Sequence, residues 1–498
     1  MDRSTVLLLA CLAPGLPAAD IETLTGQVMA GVEIDEETDA AVRFRQRIDG
    51  QWSAMTLPKK LIHRLRDKAD GPWRVLNAKA EAPPPPPKPV PVVKPRPADP
   101  PPPPKPAAGM MWRGDGSGRF PVPTAPVRWS ATENVRWKAE LPAWGNGSPI
   151  VIGDRVVCGA EPHAVLCFEA STGTMLWRTD NPPPEVLGPG NPDPGMVEPK
   201  RLRGWTCPTP ASDGTVVVAA FGQGMLIGFD LATGRRIWAR PFGADGQWGK
   251  ELSASPLIVD GTVVQLGNGA VHAFAVADGS PRWTASGGSG LHGSPTPMVL
   301  DGVKHLVLPE GQLLRVSDGR KVCDQGPEGG KWRNWGPSPA VAGDVAVIHY
   351  HGHPANDTAI HAYRYAADGK RTKLWEFDPE PESTYFTRMG NSPLVDDGLV
   401  YAVTDGGHLQ VLDLATGSLV YEQKWDKHSY SSLALAGGNL YATGKTRMHI
   451  FKAGRAYESV ADFDHGFTRH EVYPWLTVAS PVFAGDCLFF RDRTHLWC

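Results

Sequence analysis

Short runs of alternating apolar and polar residues fill most of this chain, and they return with the same opening phrase. From Trp144 to Cys158 the sequence is WGNGSPIVIGDRVVC, in which a loop ends in Ser-Pro, an apolar run follows, and a Gly-Asp turn leads into a second apolar run. Short apolar runs bounded by Gly, Pro and Asp predict β-strands joined by tight turns. We therefore expect an all-β fold.

The Ser-Pro phrase or a close variant opens an apolar run eight times. The position after the Ser or Thr gives the markers Pro149, Pro210, Pro256, Pro297, Pro339, Pro393, Leu433 and Pro481. The repeat is thus roughly forty residues long, with insertions. A second phrase, such as DLATGRRIW, follows the markers and combines a Gly turn with a Trp, Tyr or Cys in the next strand. Since Gly accepts positive φ without steric cost, each unit predicts four antiparallel strands.

The two ends of the repeat region are expected to share one sheet. The last unit lacks its closing strand, whereas NVRWKAEL, from Asn134 to Leu141, precedes the first marker and carries the expected Trp. Such a closure leaves no open sheet edge, which is how a propeller ring avoids edge-to-edge association. We predict an eight-bladed β-propeller over residues 110–498.

Composition narrows the class of protein. Of the 498 residues, 41% are apolar and 21% are charged, as in folded soluble proteins. The net charge of −3 provides no general attraction for nucleic acid, so we expect no nucleic-acid partner. We expect a monomer.

The beginning of the chain predicts export. Residues 6–20 read VLLLACLAPGLPAAD, an apolar stretch ending in small residues, which predicts that residues 1–19 are a secretory signal cleaved near Ala18 or Ala19. We therefore expect the protein in the periplasm or cell envelope. The sequence LLAC also matches a lipoprotein cleavage box, which makes Cys11 a candidate lipid anchor; the alternative is a Cys within a discarded signal.

Two further segments precede the propeller. Residues 20–77 alternate over several short runs with Gly-rich turns, which predicts a small β-barrel of SH3-like type. Residues 78–109 include AEAPPPPPKPVPVVKPRPADPPPPPKPAAG, half of which is proline. Since proline favours the extended polyproline II conformation, this linker is predicted to be a spacer between two domains.

The phrases MMWRGDGSGRF, ENVRWKAELPAWGNGSPIVIGDRVVC and DLATGRRIW resemble the pyrroloquinoline-quinone-type (PQQ-like) repeat propellers. The resemblance covers roughly Trp112 to Cys498. It is closer to the exported, cofactor-free propellers, including the outer-membrane assembly lipoproteins, than to the alcohol dehydrogenases. It implies a non-enzymatic scaffold that binds a protein or cell-envelope ligand and needs no cofactor.

The dehydrogenases of this family suggest a second hypothesis, a PQQ- and calcium-dependent quinoprotein alcohol dehydrogenase. Glu251 and Asn334 match the family's metal ligands in residue type, and Arg388 matches its quinone-facing Arg. No equally convincing Asp base is found, and the chain lacks both adjacent cysteines and a C-x-x-C-H haem site. Because proton abstraction from an alcohol needs a positioned base, we favour the scaffold. A hydrolase, a lyase or a sugar-binding propeller remains a further alternative.

A propeller binds ligands at the mouth of its channel, where the loops entering the inner strands converge. The fourth residue before each marker Ser or Thr is often Trp, Arg, His, Glu or Asn, and Trp and Arg in particular anchor interfaces. The predicted binding residues of the channel mouth are Trp144, Trp205, Glu251, His292, Asn334, Arg388 and His428. For each Trp, packing between blades is the alternative.

Two other groups of residues suggest chemistry. His349, His351 and His353 alternate along one predicted strand face and are candidates for a metal site, but we favour the alternative, a strand running into a turn in which they bind no metal. If the chain is exported, two pairs that flank predicted hairpin turns, Cys158–Cys167 and Cys487–Cys498, are expected as disulfides. The alternative is buried free thiols.

Overall fold

A computed structural model describes two compact units, Met1–Asp99 and Pro100–Cys498. The described residues are 19–23, 28–48, 51–68, 72–77, 110–143, 145–161, 163–181, 208–221, 224–243, 254–267, 269–288, 292–327, 332–333, 336–352, 358–378, 391–404, 407–425, 431–444, 446–466 and 479–498. Within these ranges the regular structure is β-strand apart from one 3₁₀ turn, which confirms the all-β prediction. No helix in these ranges is long and apolar enough to cross a membrane.

The first unit is a small antiparallel β domain, as expected. Its sheet has the order β4-β3-β2-β1-β5-β6, and the 3₁₀ turn precedes β5. The strand β5 thus returns beside β1, as the closure of a small barrel requires. The elements are β1 (Ala19–Thr23), β2 (Val28–Glu37), β3 (Ala41–Ile48), β4 (Gln51–Pro58), the 3₁₀ turn (Lys59–Leu61), β5 (Ile62–Arg66) and β6 (Arg74–Val75).

The first strand of this unit begins at Ala19. This residue is 1% exposed, pairs with Val32 across β2 and belongs to the core that also contains Ile21 and Phe44. The described core of this unit therefore includes Ala19, the last residue of the predicted signal.

The second unit is a ring of eight four-stranded antiparallel sheets, which confirms the predicted propeller. Blades 1 to 4 contain β9 (Ile150–Ile152), β10 (Arg155–Ala160), β11 (Ala164–Glu169) and β12 (Met175–Asp180); β13 (Ala211–Ser212), β14 (Val216–Phe221), β15 (Met225–Asp230) and β16 (Arg236–Pro241); β17 (Leu257–Val259), β18 (Thr262–Gly267), β19 (Ala270–Ala275) and β20 (Pro281–Ser286); and β21 (Thr296–Leu300), β22 (Val303–Val307), β23 (Leu313–Arg315) and β24 (Lys321–Cys323).

Blades 5 to 8 complete the ring. They contain β26 (Ala340–Ala342), β27 (Val345–Gly352), β28 (Thr358–Tyr365) and β29 (Arg371–Phe377); β30 (Leu394–Asp396), β31 (Leu399–Val403), β32 (His408–Asp413) and β33 (Leu419–Lys424); β34 (Ala434–Ala436), β35 (Asn439–Thr443), β36 (Arg447–Lys452) and β37 (Ser459–Asp464); and β38 (Val482–Ala484), β39 (Cys487–Arg491), β40 (His495–Trp497) and β8 (Lys138–Glu140). Two short strands add to this ring, β7 (Arg119–Phe120) on blade 7 and β25 (Trp332–Arg333) on blade 5.

Blade 8 joins the two ends of the repeat region. The strand β8 pairs antiparallel with β40, and Ala139 lies opposite Leu496. The carbonyl of Cys498 accepts backbone hydrogen bonds from Arg136 and Trp137. The segment from Asn134 to Leu141 therefore closes the ring, as predicted from its Trp.

The repeated Ser or Thr has a structural role that explains the opening phrase. In each blade, the backbone N–H of this residue donates to the side-chain hydroxyl of its counterpart in the next blade, at 2.8–3.1 Å, and the last bond, from Ser480 to Ser148, closes a circle. The members of this hydroxyl ring are Ser148, Thr209, Ser255, Ser294, Ser338, Ser392, Ser432 and Ser480. Each is buried, so each bond satisfies a backbone donor that water cannot reach.

The ring corrects the position of the fourth repeat. Its member in blade 4 is Ser294, followed by Pro295, whereas the sequence pattern was aligned on Thr296 and Pro297. Thr296 makes a different bond, from its hydroxyl to the carbonyl of Pro339. The phrase SPTP contains two equivalent matches, and only the neighbouring blades determine which one enters the ring.

The second repeated phrase joins blades at their outer side. The indole N–H of Trp238 in β16 donates to the carbonyl of Val276 in blade 3 at 2.8 Å, and the ring lies against Gly279, where a Cβ would be 2.6 Å from the indole. The same indole-to-carbonyl contact, with a Gly turn beneath the ring, is made by Trp137, Trp177, Trp283 and Trp375. The Gly of this phrase is therefore needed for its positive φ and for the close approach of the Trp.

We predict that Ser338→Ala lowers the melting temperature by several degrees. The substitution leaves the buried N–H of Ser294 without an acceptor, which costs ~1–3 kcal/mol. Ser338→Thr is the matched control, because Thr209 already fills the equivalent place in blade 2. Differential scanning calorimetry of both variants makes the test. Equal melting temperatures for Ser338→Ala and the wild type would contradict a stabilising role for the ring.

Candidate functional site

The central channel has two different mouths. The inner strands all begin at the hydroxyl ring and end at short turns such as Asp260-Gly261 and Asp397-Gly398, so the loops before the ring surround one end and these turns surround the other. We call the first end the entry mouth, which the predicted binding residues define, and the second the exit mouth. The two mouths differ in loop length and in what fills them.

The structure describes one of the seven residues predicted for the entry mouth, His292, which is half-buried. Trp144, Trp205, Glu251, Asn334, Arg388 and His428 lie outside the described residues, so their role stays a prediction. His292 stands two residues before Ser294 of the ring, whereas the other six stand four residues before their ring members. His292 is thus not equivalent to them, because the fourth repeat was aligned two residues too late.

A segment of the chain fills the channel from the exit mouth. We call residues Met110–Val122 the plug. Its backbone is tied to blade 2 by a bond from the Ser212 N–H to the Met110 carbonyl, and to blade 7 by the parallel pairing of β7 with β34. The side chain of Phe120 packs on Phe483 of blade 8, with the ring centroids 5.6 Å apart.

Arg113 is the deepest charged group of the plug. It is 2% exposed, and its guanidinium donates to the carbonyl of Pro393 at 2.9 Å and to that of Leu433 at 3.5 Å, directly after the ring members of blades 6 and 7. Burial lowers the pKa of Arg113 to about 9, while Asp115 acts in the opposite direction. The group thus remains charged at neutral pH. Its charge is directed at backbone carbonyls, which holds the plug at the level of the ring.

The sequence RGDGSGR makes this fold of the plug possible. Gly114, Gly116 and Gly118 all have positive φ, at 76°, 95° and 80°. A Cβ on Gly118 would lie 2.5 Å from Nη2 of Arg113, so the chain turns back directly over the guanidinium. In the sequence, the three alternating glycines after Arg113 indicate a tightly turned segment. They do not indicate that this segment enters the channel.

Beside the plug the exit mouth retains a cavity of about 730 Å³. Its walls are largely apolar and include Phe120, Val259, Met298 and Leu435. Two ion pairs stand at this mouth, between Arg119 and Asp396 at 3.0 Å and between Lys304 and Asp260 at 2.5 Å. The cavity is thus an apolar cleft whose edge carries these two ion pairs together with the carboxylate of Asp115.

The described residues include no group of three or more His, Cys, Asp or Glu that could hold a metal ion. His349 is buried on β27, a strand that ends at Gly352. His351 follows on the same strand, but its side chain lies outside the description, as does the whole of His353. The metal prediction at these three residues therefore stays untested.

The predicted disulfide between Cys158 and Cys167 is wrong for this structure. The register pairs Cys158 with Leu166 and Val157 with Cys167, so the two thiols point to opposite faces of blade 1. Cys158 packs in the core between blades 8 and 1, and Cys167 packs between blades 1 and 2. Both are buried free thiols, and burial raises the pKa of each. The pairing of β10 with β11 is thus one residue out of the register that a Cys158–Cys167 bond requires.

With the ring, the plug and the two mouths established, the chain can be compared with known proteins. A family model described as "Outer membrane protein assembly factor BamB" matches residues 125–318 and 356–464, which is more than half of the chain. The chain belongs to this family. The matched ranges run from the segment before β8 to the outer strand of blade 7.

One curated member and two solved structures locate the chain within this PQQ-like class. BamB of Yersinia pestis is 26% identical over 228 residues, which are 43% of this chain and 56% of the relative, so the chain spans little more than half the length of that protein. The crystal structure of BamB from Moraxella catarrhalis has a TM-score of 0.52 at 13% identity and covers 73% of this chain and 97% of its own. The quinohemoprotein alcohol dehydrogenase of Comamonas testosteroni has a TM-score of 0.51 at 11% identity, with 79% and 80% covered. At these identities the two structures show the propeller fold alone.

We predict that Gly118→Ala destabilises this BamB-family propeller more than Gly302→Ala does. Both residues have positive φ, at 80° and 75°, so both variants lose ~1–2 kcal/mol for the backbone conformation. A Cβ at Gly302 meets nothing within 4 Å, whereas at Gly118 it displaces the guanidinium of Arg113, which costs a further ~1–3 kcal/mol. The comparison of the two melting temperatures makes the test. Equal losses would show that the plug does not depend on the packing of Gly118 over Arg113.

Proposed function

We propose that the protein is an exported, non-enzymatic scaffold of the cell envelope that binds a protein partner in the assembly of outer-membrane proteins. The observation that carries this proposal is the match of more than half of the chain to the BamB family. The periplasm, or the outer membrane through a lipid anchor at Cys11, is the corresponding location. The signal and Cys11 lie outside the described residues, so export rests on the sequence alone.

The unequal lengths of the connections support the entry mouth as the binding face. At the exit mouth, the connection between the inner and second strands is as short as two residues, between Ile152 and Arg155. At the entry mouth, the connections run from Asp180 to Ala211 and from Asp464 to Val482. Long loops on a rigid ring are where binding residues concentrate. Six of the seven predicted binding residues lie in or beside the undescribed parts of these loops.

The position of the plug favours a partner that binds on the surface of the propeller rather than inside its central channel. Arg113 and its carbonyl partners occupy the channel at the level of the ring, and Phe120 with β34 occupies the exit side. A ligand therefore has access to the mouths and not to a continuous channel. A protein surface that lies across the entry loops fits this arrangement, and Trp and Arg are the residues that anchor such interfaces.

The dehydrogenase hypothesis receives weaker support. Glu251, Asn334 and Arg388 match its metal and quinone ligands in type only, and all three lie outside the described residues. The similarity to the Comamonas enzyme is a similarity of fold. Incubation with PQQ and Ca²⁺, followed by an absorbance spectrum and dye reduction with primary alcohols, separates the hypotheses: bound quinone with alcohol-dependent reduction would overturn the scaffold proposal.

The partner test uses one variant at each mouth. We expect Arg388→Ala at the entry mouth to reduce recovery of the partner strongly, with a loss of ~2 kcal/mol or roughly thirtyfold in affinity if it is a central anchor. Arg119→Ala at the exit mouth is the matched control, since it removes a surface-paired Arg of the same size. Crosslinking in intact cells, affinity purification of each tagged variant and mass spectrometry give the measurement, and melting temperatures show that both variants fold.

Trp205→Ala provides the second entry-mouth variant. The alternative for this Trp is packing between blades, in which case the melting temperature falls by several degrees and binding is lost only through unfolding. Undiminished recovery with both Arg388→Ala and Trp205→Ala would overturn the assignment of the entry mouth. Recovery of no outer-membrane assembly component with the wild type would overturn the proposed function itself.

A further inference from the structure

The hairpin of β39 and β40 carries a cysteine at each end, Cys487 at the start of β39 and Cys498 directly after β40. The register of β39 with β40 pairs Phe490 with Trp497 and Arg491 with Leu496. Continued by one residue, it places Phe489 opposite Cys498. Cys487 lies two residues from Phe489 and therefore on the same face of the sheet, diagonal to Cys498. We propose that Cys487 and Cys498 form a reversible disulfide that locks the closing strand β40 into blade 8.

The packing of the two side chains supports this pairing. Both cysteines belong to the core between blades 7, 8 and 1, and both are free thiols in this structure. The thiol of Cys487 donates to the Asp486 carboxylate at 3.5 Å, and both cysteines line one small cavity. Diagonal neighbours of an antiparallel pair lie ~7–8 Å apart, so the bond requires Cys498, which follows the end of β40, to move towards Cys487.

The other cysteine hairpin shows that sequence spacing alone does not produce this arrangement. Cys158 and Cys167 also flank a tight hairpin, yet they point to opposite faces and belong to different cores. A disulfide between them would require a one-residue slip that turns every side chain of the strand to the other face. Of the two hairpins, only the one with Cys487 and Cys498 places both cysteines in one core and beside one cavity, so Cys158 and Cys167 provide an internal control.

A small cavity gives reagents access to the Cys487–Cys498 pair. It is lined by both cysteines, Trp497, Arg136 and Asp486, and it measures about 100 Å³. Cys498 is partly exposed, and Arg136 and Asp486 form an ion pair at 3.0 Å beside it. Burial is the largest influence on both thiols and raises the pKa of each, while the charge of Arg136 acts in the opposite direction. Oxidation is therefore slow at neutral pH and accelerates as the pH rises.

The reaction is thiol–disulfide exchange with a disulfide donor, such as oxidised glutathione or a periplasmic dithiol oxidant. The Cys498 thiolate attacks one sulfur of the donor, forms a mixed disulfide and releases the first thiolate. The Cys487 thiolate then attacks Cys498 and releases the second. Two protein thiols and one donor disulfide become one protein disulfide and two donor thiols, and the two protons pass from the cysteines to the released thiolates.

The consequence concerns the blade that joins the two ends of the repeat region. The strand β40 has three residues and is held by two register pairs to β39 and three to β8. The strand β8 in turn reaches blade 8 only through its pairing with β40. A covalent bond from β39 to the residue after β40 restricts the opening of this blade.

The experiment uses the full chain, first reduced and then incubated with oxidised glutathione across a range of pH. We expect peptide mass mapping after alkylation to find Cys487 linked to Cys498, and Cys158 and Cys167 alkylated as thiols once the protein is denatured. The rate of loss of the two thiols should rise about tenfold per pH unit below their pKa. The oxidised protein should melt several degrees above the reduced protein.

Cys498→Ser and Cys487→Ser are the control variants, and each should abolish the difference in melting temperature between oxidised and reduced protein. If either fails to fold, the mapping of the wild-type protein decides the question alone. Full alkylation of Cys487 and Cys498 after oxidation at high pH, or a disulfide that involves other cysteines, would overturn the inference. The purified protein needs no partner for this test, so its outcome is independent of the proposed function.

Discussion

The hydroxyl ring at the start of the inner strands is the constraint on which the propeller depends. Inner strands such as β9, β17 and β38 have only three residues each, so their own ladders satisfy few backbone groups. The ring member two residues before each strand would have a buried, unpaired N–H if the next blade did not supply an acceptor. A Ser or Thr hydroxyl is short enough to do this without filling the channel. The Pro that usually follows has no N–H and adds no further donor.

A second circle of contacts lies further out and has a different physical basis. There the indole of one blade packs on a Gly turn of the next and donates to a carbonyl beside it, so apolar burial and one hydrogen bond act together. Where the Trp is replaced by Cys323, the equivalent Gly369 approaches the backbone carbonyl of Val322 instead. The hydroxyl ring and the outer Trp contacts therefore fix each blade at two distances from the central axis. Together they determine the angle between neighbouring blades, and the long loops are left as the variable part.

The plug explains how such a ring accommodates a charge on its axis. Arg113 loses its hydration but gains two carbonyls, and the glycine-rich turn excludes water from its other side. The exit mouth is thereby partly filled by the chain itself, with an apolar cavity beside the plug. The entry mouth carries the longer loops. This asymmetry gives the two ends of one ring different roles, and it follows from a segment that lies before the first blade in the sequence.

The sequence by itself determined the fold class, the number of blades and the closure of the ring, because these depend on local alternation, turn residues and repetition. It did not determine the register of the fourth repeat, since Ser294 and Thr296 are locally equivalent and only the hydroxyl of Ser338 in blade 5 selects between them. It supported both cysteine hairpins equally, although the observed register places Cys158 opposite Leu166, and the register of β39 with β40 lies two residues away from a direct Cys487–Cys498 pair. It could not place Arg113, whose partners Pro393 and Leu433 are about three hundred residues away. These features were decided by the tertiary structure alone, because each depends on which side chains the closed ring brings together across its axis or across a strand pair.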